Sequence, residues 1–137
     1  MPFHYQTRIR YGECDQQGVV FNANYMVYMD DAGEQWISSL SPGGNFQSLG
    51  WDWMVVRSVL EWQAPAHSGD TLVIEVGIVR YGSPYFDIGY VGTVDGKPAF
   101  TARAVCVSVA PVTLKKCPIP AEIRARLGEV VEMTVPI

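Results

Sequence analysis

Two histidines and three cysteines are all the imidazole and thiol this 137-residue sequence has. His4 and His67 stand far apart, and no Cys or carboxylate sits beside either at ligand spacing, so a zinc or non-haem iron centre is not indicated. Cys14, Cys106 and Cys117 are odd in number and unpaired in spacing, which argues against a disulfide framework and for reduced thiols. There is no Gly-x-Ser-x-Gly elbow, and a Ser-His-Asp triad would have to recruit one of two poorly placed histidines. No run approaches the roughly 18 apolar residues of a membrane span, and the opening Met1-Pro-Phe-His-Tyr-Gln-Thr-Arg8 lacks the apolar stretch of a signal peptide. A soluble cytoplasmic protein without a membrane partner is expected. Ten Lys and Arg against fourteen Asp and Glu give a net charge of −4. Apart from Lys115-Lys116 the basic residues are scattered, so nucleic acid is not expected as a partner.

What the chain does have is apolar substance: 48% of its residues are hydrophobic, enough to bury a core within one domain spanning 1–137. Tyr5-Gln-Thr-Arg-Ile-Arg-Tyr11 alternates like a strand. Tyr25, Met29, Ala32, Trp36 and Leu40 then recur at helical spacing. That helix is expected to start near Asn22 to Asn24, where an Asn can cap free N–H groups, and to end before Ser41-Pro-Gly-Gly44. Met29 and Trp36 read as core. After a Gly-rich loop, strands are expected over Trp53 to Trp62, Leu72 to Tyr81, Tyr85 to Val94 and Ala99 to Val109. Asp95-Gly96 marks a tight hairpin, because both turn residues must tolerate positive φ. A short helix over Ala121 to Leu127 follows Cys117-Pro-Ile-Pro120. The architecture expected is α+β: a long helix against an antiparallel sheet of about five strands. Phe86, Ile88, Tyr90 and Val94 would face the helix. Tyr85, Val91, Thr101, Val105, Val107 and Val109 would make the opposite face too apolar for exposure, so self-association or extra elements should cover it.

The most informative stretch is Asp15-Gln-Gln-Gly-Val-Val-Phe-Asn-Ala-Asn-Tyr25, which puts a carboxylate and a glycine turn directly before a helix start. The first N–H groups of a helix have no partner inside it, and the macrodipole adds partial positive charge there. A developing oxyanion would find donors at that point. His67 and Asp70 are read as serving the turn around Gly69. Phe46, Trp51, Trp53, Met54 and Val55 read as core, with a tunnel lining as the alternative.

Asp15-x-x-Gly-Val-Val-x-x-x-Asn-Tyr25, together with Ala64-Pro-Ala-His-Ser-Gly-Asp70 before a strand and Ile119-Pro120 before a closing helix, resembles the hotdog-fold acyl-CoA thioesterases of the 4-hydroxybenzoyl-CoA thioesterase family. The resemblance runs from about Tyr5 to Leu127. It implies a hotdog fold and hydrolysis of an acyl-CoA thioester without metal or cofactor. It also implies a homodimer or homotetramer whose site lies between subunits. Carried over by position, Asp15 is the catalytic carboxylate, as nucleophile or as general base for water. The backbone N–H of Asn22 polarises the thioester carbonyl, Gly18 allows the tight turn, and Tyr25 occupies a family position in the first helical turn. Several relatives have histidine where this chain has Asn22, so only a backbone role carries over there. In the turn that meets CoA phosphates in relatives, Arg80-Tyr-Gly-Ser-Pro-Tyr85 offers Arg80 and Ser83. Arg57, Arg103, Lys115 and Lys116 are further basic candidates, with Arg57 placed beside Arg80 in the substrate-binding set.

Such sparse equipment suits the chemistry: a thiolate leaves readily, so hydrolysis needs a carboxylate for the attack and donors for the oxygen more than a strong acid. Glu34 is the other carboxylate of interest, since another branch of hotdog thioesterases uses one on the long helix. Three other functions compete. A hotdog hydratase often has a histidine five positions after an Asp, where this chain has Val20. The other two are a thioesterase acting on acyl carrier protein and a noncatalytic acyl-CoA-binding hotdog protein.

Overall fold

Five strands rich in β-branched and aromatic residues, joined mostly by short turns, form one sheet. The computed structural model describes residues 2–137. Its strands are Phe3–Arg8 (β1), Asp52–Trp62 (β2), Thr71–Tyr81 (β3), Tyr85–Val94 (β4) and Lys97–Val109 (β5). All neighbours pair antiparallel in the order β1-β3-β4-β5-β2. The order follows from connection length. Tight turns make β3, β4 and β5 sequential neighbours, whereas the helical crossover after β1 carries the chain to the far edge, where β2 pairs with β5. Between β4 and β5, Asp95 and Gly96 take φ of 51° and 75°, the conformation that a two-residue hairpin with native twist requires.

The 17-residue helix Asn24–Leu40 (α1) crosses one face, burying Tyr25, Tyr28, Met29, Ala32, Gly33, Trp36 and Ile37. Phe86, Ile88 and Tyr90 meet it from β4, with Val94 partly buried at the margin. Closest approach is at Gly33, where an added Cβ would lie 3.1 Å from the Tyr90 hydroxyl. The core extends past the helix C-terminus to Phe46 and Trp51, whose indole Nε1 donates to Ser108 Oγ at 2.7 Å. Helix Ala121–Leu127 (α2) seats Ile123 and Leu127 against the same core.

Two local expectations are corrected, and a third, that self-association or extra elements cover the outer sheet face, is met by the latter. The first strand stops at Arg8 instead of reaching Tyr11, because Glu13 accepts hydrogen bonds from Arg10 N–H (2.8 Å) and Arg10 Nη2 (3.2 Å) and folds Tyr11–Glu13 into a single 3-10 turn. No asparagine side chain caps α1. Ala23 holds the cap position, and Asn24 turns its amide back to donate to Glu13 O at 2.7 Å. The outer sheet face is covered by the segment after α2, which has no regular structure of its own. Val131 N–H donates to Ile78 O at 2.8 Å, and the Val131, Met133 and Val135 side chains lie over Gly77 and Gly89. Beneath it Val107 and Val109 are buried, while Tyr85, Val91, Thr101 and Val105 are half-buried.

Candidate active site

The segment before α1 is a miniature hairpin. Phe21 N–H donates to Glu13 O at 3.0 Å, Cys14 bridges Val20, and Asp15 N–H donates to Val19 O at 2.8 Å. Gly18 makes the reversal possible: its φ of 81° suits glycine, and its N–H returns to Asp15 O at 2.9 Å. The loop is tied down on two sides. Val20 N–H donates to Ala66 O at 2.9 Å, Val19 bridges His67, and the Asn24 amide holds Glu13 O from the helix. The neighbouring His67 to Asp70 turn closes on itself, Asp70 Oδ2 accepting from His67 N–H at 2.8 Å, as its sequence reads.

Asp15 is half-buried in this hairpin. Its Oδ1 accepts from Gln17 N–H at 2.8 Å, and Oδ2 has no hydrogen-bond partner among the described residues. Seven positions on, the chain enters the helix with Asn24 N–H donating to Phe21 O and Tyr25 N–H to Asn22 O, at 2.8 and 3.3 Å. The N–H groups of Asn22 and Ala23 meet no acceptor among the described residues, so the helix start presents open donors beside the Asp15 loop. Beneath them Glu13 is held below the usual carboxylate range: burial pushes it up, but the bonds from Arg10 N–H and guanidinium outweigh that. The buried Tyr28 hydroxyl faces the Glu13 carboxylate and is pushed up by burial and then by the Glu13 charge.

Two clefts open between α1 and β2. One, of about 250 Å³, is bounded by Val19, Val20, Asn22, Tyr25, Trp62 and the Gln63 to Pro65 turn. The Tyr25 ring is buried and stacks edge-on against Tyr28, Trp62 and Phe100, so this residue serves as wall and core at once. The second cleft, of about 380 Å³, lies one turn along the helix. Met26, Val27, Met29, Val55 and Ala104 line it, with Asp30, Ser58 and Tyr90. Trp51 and Phe46 are core, whereas Val55 belongs to the cleft and Met54 to the exposed edge. Sequence reading placed Tyr90 on the helix-facing side but assigned neither it nor Ser58 to a site. The available signal was a hydroxyl on the inward side of a strand, central β4 for Tyr90 and edge β2 for Ser58.

The basic candidates stand elsewhere. Arg57 lies on the outer face of β2 and donates to Ile137 O at 3.3 Å. Arg80 and Arg103 both hold the buried Asp87 carboxylate, at 3.4 and 2.8 Å. Lys116 donates to the Tyr85 hydroxyl at 2.7 Å. Ser83 is exposed in the β3–β4 turn, before a cis bond to Pro84. The hairpin and the helix start thus carry Asp15, Gly18, Asn22 and Tyr25, of which Asn22 and Tyr25 line a cleft, while Arg57, Arg80 and Ser83 lie outside both clefts. Glu34 borders neither of these clefts; it lines a smaller one, of about 170 Å³, with Ile37 and Ser38 of α1 and Asp52 and Trp53 of β2. Burial, then Asp30, Asp52 and Asp31, raise its carboxyl. Among the described residues no group of His, Cys, Asp and Glu could hold a metal ion, and no helix is long and apolar enough to cross a membrane.

Similarity to other proteins agrees with this geometry. Residues 9–127 match the family model described as the Thioesterase-like superfamily. The chain is 26% identical over 127 residues to a 1,4-dihydroxy-2-naphthoyl-CoA hydrolase of Synechococcus elongatus, covering 89% of this chain and 92% of that one. A thioesterase superfamily protein of Jannaschia sp. CCS1 superimposes with a TM-score of 0.88 at 20% identity, over 96% of this chain and 94% of that one. The SAV2348 protein of Staphylococcus aureus, solved in complex with CoA, superimposes with a TM-score of 0.85 at 14% identity, over 99% and 90% of the two chains. A helix laid across a five-stranded antiparallel sheet, with a tied-down carboxylate loop at its N-terminus, is thus the hotdog fold, and the chain belongs to the Thioesterase-like superfamily.

Proposed function

We propose that this thioester hydrolase acts on acyl-CoA, with Asp15 as the reacting carboxylate and the open N–H of Asn22 as the donor to the thioester oxygen. The observation that carries the reading is their shared frame: one hydrogen-bonded hairpin holds Asp15 and delivers the chain to the unpaired N–H groups at the start of α1. An oxyanion donor must be fixed before charge develops, and removing one typically costs about 100-fold to 1000-fold in rate. Asp15 attacks the carbonyl carbon or takes a proton from water, and the CoA thiolate leaves. Glu34 is a weaker candidate for this carboxylate, because it borders neither cleft at the helix N-terminus.

A second copy of the chain completes the site in this reading. β2 is an edge strand whose Met54, Val55 and Val56 are between 42% and 55% exposed, and both clefts open along it. An apolar, unpaired strand edge is a ready surface for a partner. Arg57, Arg80 and Ser83 then remain as contacts for the phosphate end of CoA at the outer rim. The cytoplasm, as the compartment that holds acyl-CoA and keeps thiols reduced, fits the three free cysteines.

The test is steady-state CoA release from a panel of short, medium, long and aromatic acyl-CoAs by wild type and Asp15→Asn. Loss of kcat by 100-fold or more with little change in KM is expected, as for a group that acts in the transition state. Full activity in the variant would remove Asp15 from the mechanism. Turnover of acyl carrier protein esters alone would change the substrate, and tight acyl-CoA binding without turnover would make the protein a binding module.

A further inference from the structure

Asn24 turns its amide away from the helix it opens. An asparagine at a helix start ordinarily aims its side chain at the free N–H groups there. This one donates from Nδ2 to Glu13 O at 2.7 Å, in the first leg of the Asp15 hairpin. The same carbonyl accepts from Phe21 N–H at 3.0 Å, so a single oxygen joins that leg to the return leg and to the helix. Glu13 is a firm anchor. Its carboxylate accepts from Arg10 N–H at 2.8 Å and Arg10 Nη2 at 3.2 Å, and the buried Tyr28 hydroxyl, one turn further along α1, faces it. Asp15 makes no hydrogen bond to α1 among the described residues: its N–H, its carbonyl and Oδ1 are all engaged inside the hairpin. Its place relative to the helix is therefore inherited from the bonds that dock the hairpin. The two groups assigned to the reaction flank the Asn24 bond evenly, Asp15 two residues after Glu13 and Asn22 two residues before Asn24.

We propose that Asn24 is a positioning residue for thioester hydrolysis: by holding Glu13 O, its amide fixes the separation of the Asp15 carboxylate from the open N–H of Asn22. The carboxylate, or the water it activates, must reach the carbonyl carbon while the N–H reaches the oxygen bonded to that carbon. A shift of one group against the other is thus felt directly in the transition state, and a displacement of about 1 Å can cost about 100-fold in rate. Ground-state binding depends far less on that separation, because the acyl and CoA portions are held elsewhere. The inference rests on the reading of Asp15 and Asn22 given above, and it adds a residue that acts through them without touching the substrate.

The experiment measures steady-state CoA release from one acyl-CoA that the wild type turns over, in wild type, Asp15→Asn, Asn24→Asp and Asn24→Ala, with a thermal melt of each. Asn24→Asp keeps the size of the side chain and removes the donor. Asn24→Ala removes the side chain at a first-turn position where alanine favours the helix, so this variant folds. In both, kcat is expected to fall about tenfold to 100-fold, with KM within about twofold of wild type, the pattern of a group whose effect is confined to the transition state. A lowered melting temperature with unchanged kcat would reduce the bond to support of the fold and overturn the proposal. A loss confined to KM would overturn it too, and a loss in Asn24→Asp alone would be the work of the added charge and do the same. Each of these leaves a rate that still collapses in Asp15→Asn. Full activity in Asp15→Asn, or no CoA release by the wild type, would instead overturn the reading of Asp15 itself, and this inference with it.

Discussion

Tyr5 Oη donates to Asp31 Oδ2 at 2.5 Å, linking the first strand to the middle of the long helix. Burial first, then that hydrogen bond, pushes the Tyr5 hydroxyl up to about 12 from its ordinary value of 10. The folded chain therefore binds this proton more tightly than the unfolded chain. Its contribution to stability is fully present below pH 10 and is lost as pH rises through about 12. Denaturant midpoints measured from pH 9 to 12 are expected to fall over that window, and Tyr5→Phe should flatten the fall. An identical slope in the variant would show that Tyr5 titrates without cost to the fold. At this scale the sequence was legible where a placement is local. Asp15, Gly18 and Asn22 lie within eight residues, and their positions follow from the turn and the helix start they make. Asn24 was misread for the converse reason: its amide serves a carbonyl eleven residues earlier, and no local pattern announces that partner.

At the scale of elements, α1 and the β3 to β5 meander could be read almost to their ends, because a 3.6-residue period and a two-residue hairpin are written in consecutive residues. The segment after α2 could not. Residues 129–137 form no strand, although Val131, Met133 and Val135 alternate with Glu132 and Thr134; those three lie on the outer face, and Arg103 Nη1 donates to Pro136 O at 3.1 Å. Glycines at 77 and 89 make room for it, since an added Cβ would lie 2.6 Å from a Val131 methyl at 77 and 3.0 Å from Met133 Sδ at 89. Truncation after Gly128 is expected to cost about 2 to 4 kcal/mol, given several part-buried side chains worth up to roughly 1.5 to 3 kcal/mol each when fully buried. Thermal melts should show the loss, and light scattering should show association through the uncovered face. An unchanged melting temperature would mean that the segment lies on the sheet without supporting it.

On the scale of the whole molecule, both clefts, the Phe21, Met26 and Val27 side chains and the Met54 to Val56 edge open towards one side. That side is where a second copy would complete the proposed site. Val56, at a bulge in β2 and 55% exposed, is the place to break such an assembly. Val56→Lys should yield a monomer in light scattering and lose turnover with it. A fully active monomer would confine the site to one chain. The amino-acid sequence by itself determined the strands, the two helices, the Asp95-Gly96 turn and the loop that carries Asp15, because each depends on residues adjacent in the chain. Tertiary structure alone decided that β2 rather than β1 lies beside β5. It also decided that Arg80 and Arg103 converge on Asp87, and that Tyr90 and Ser58 meet Asp30 in one cleft. Apart from Arg80 with Asp87, these pairings join residues sixteen or more positions apart, and only the register of the sheet and the crossing of one helix can bring them together.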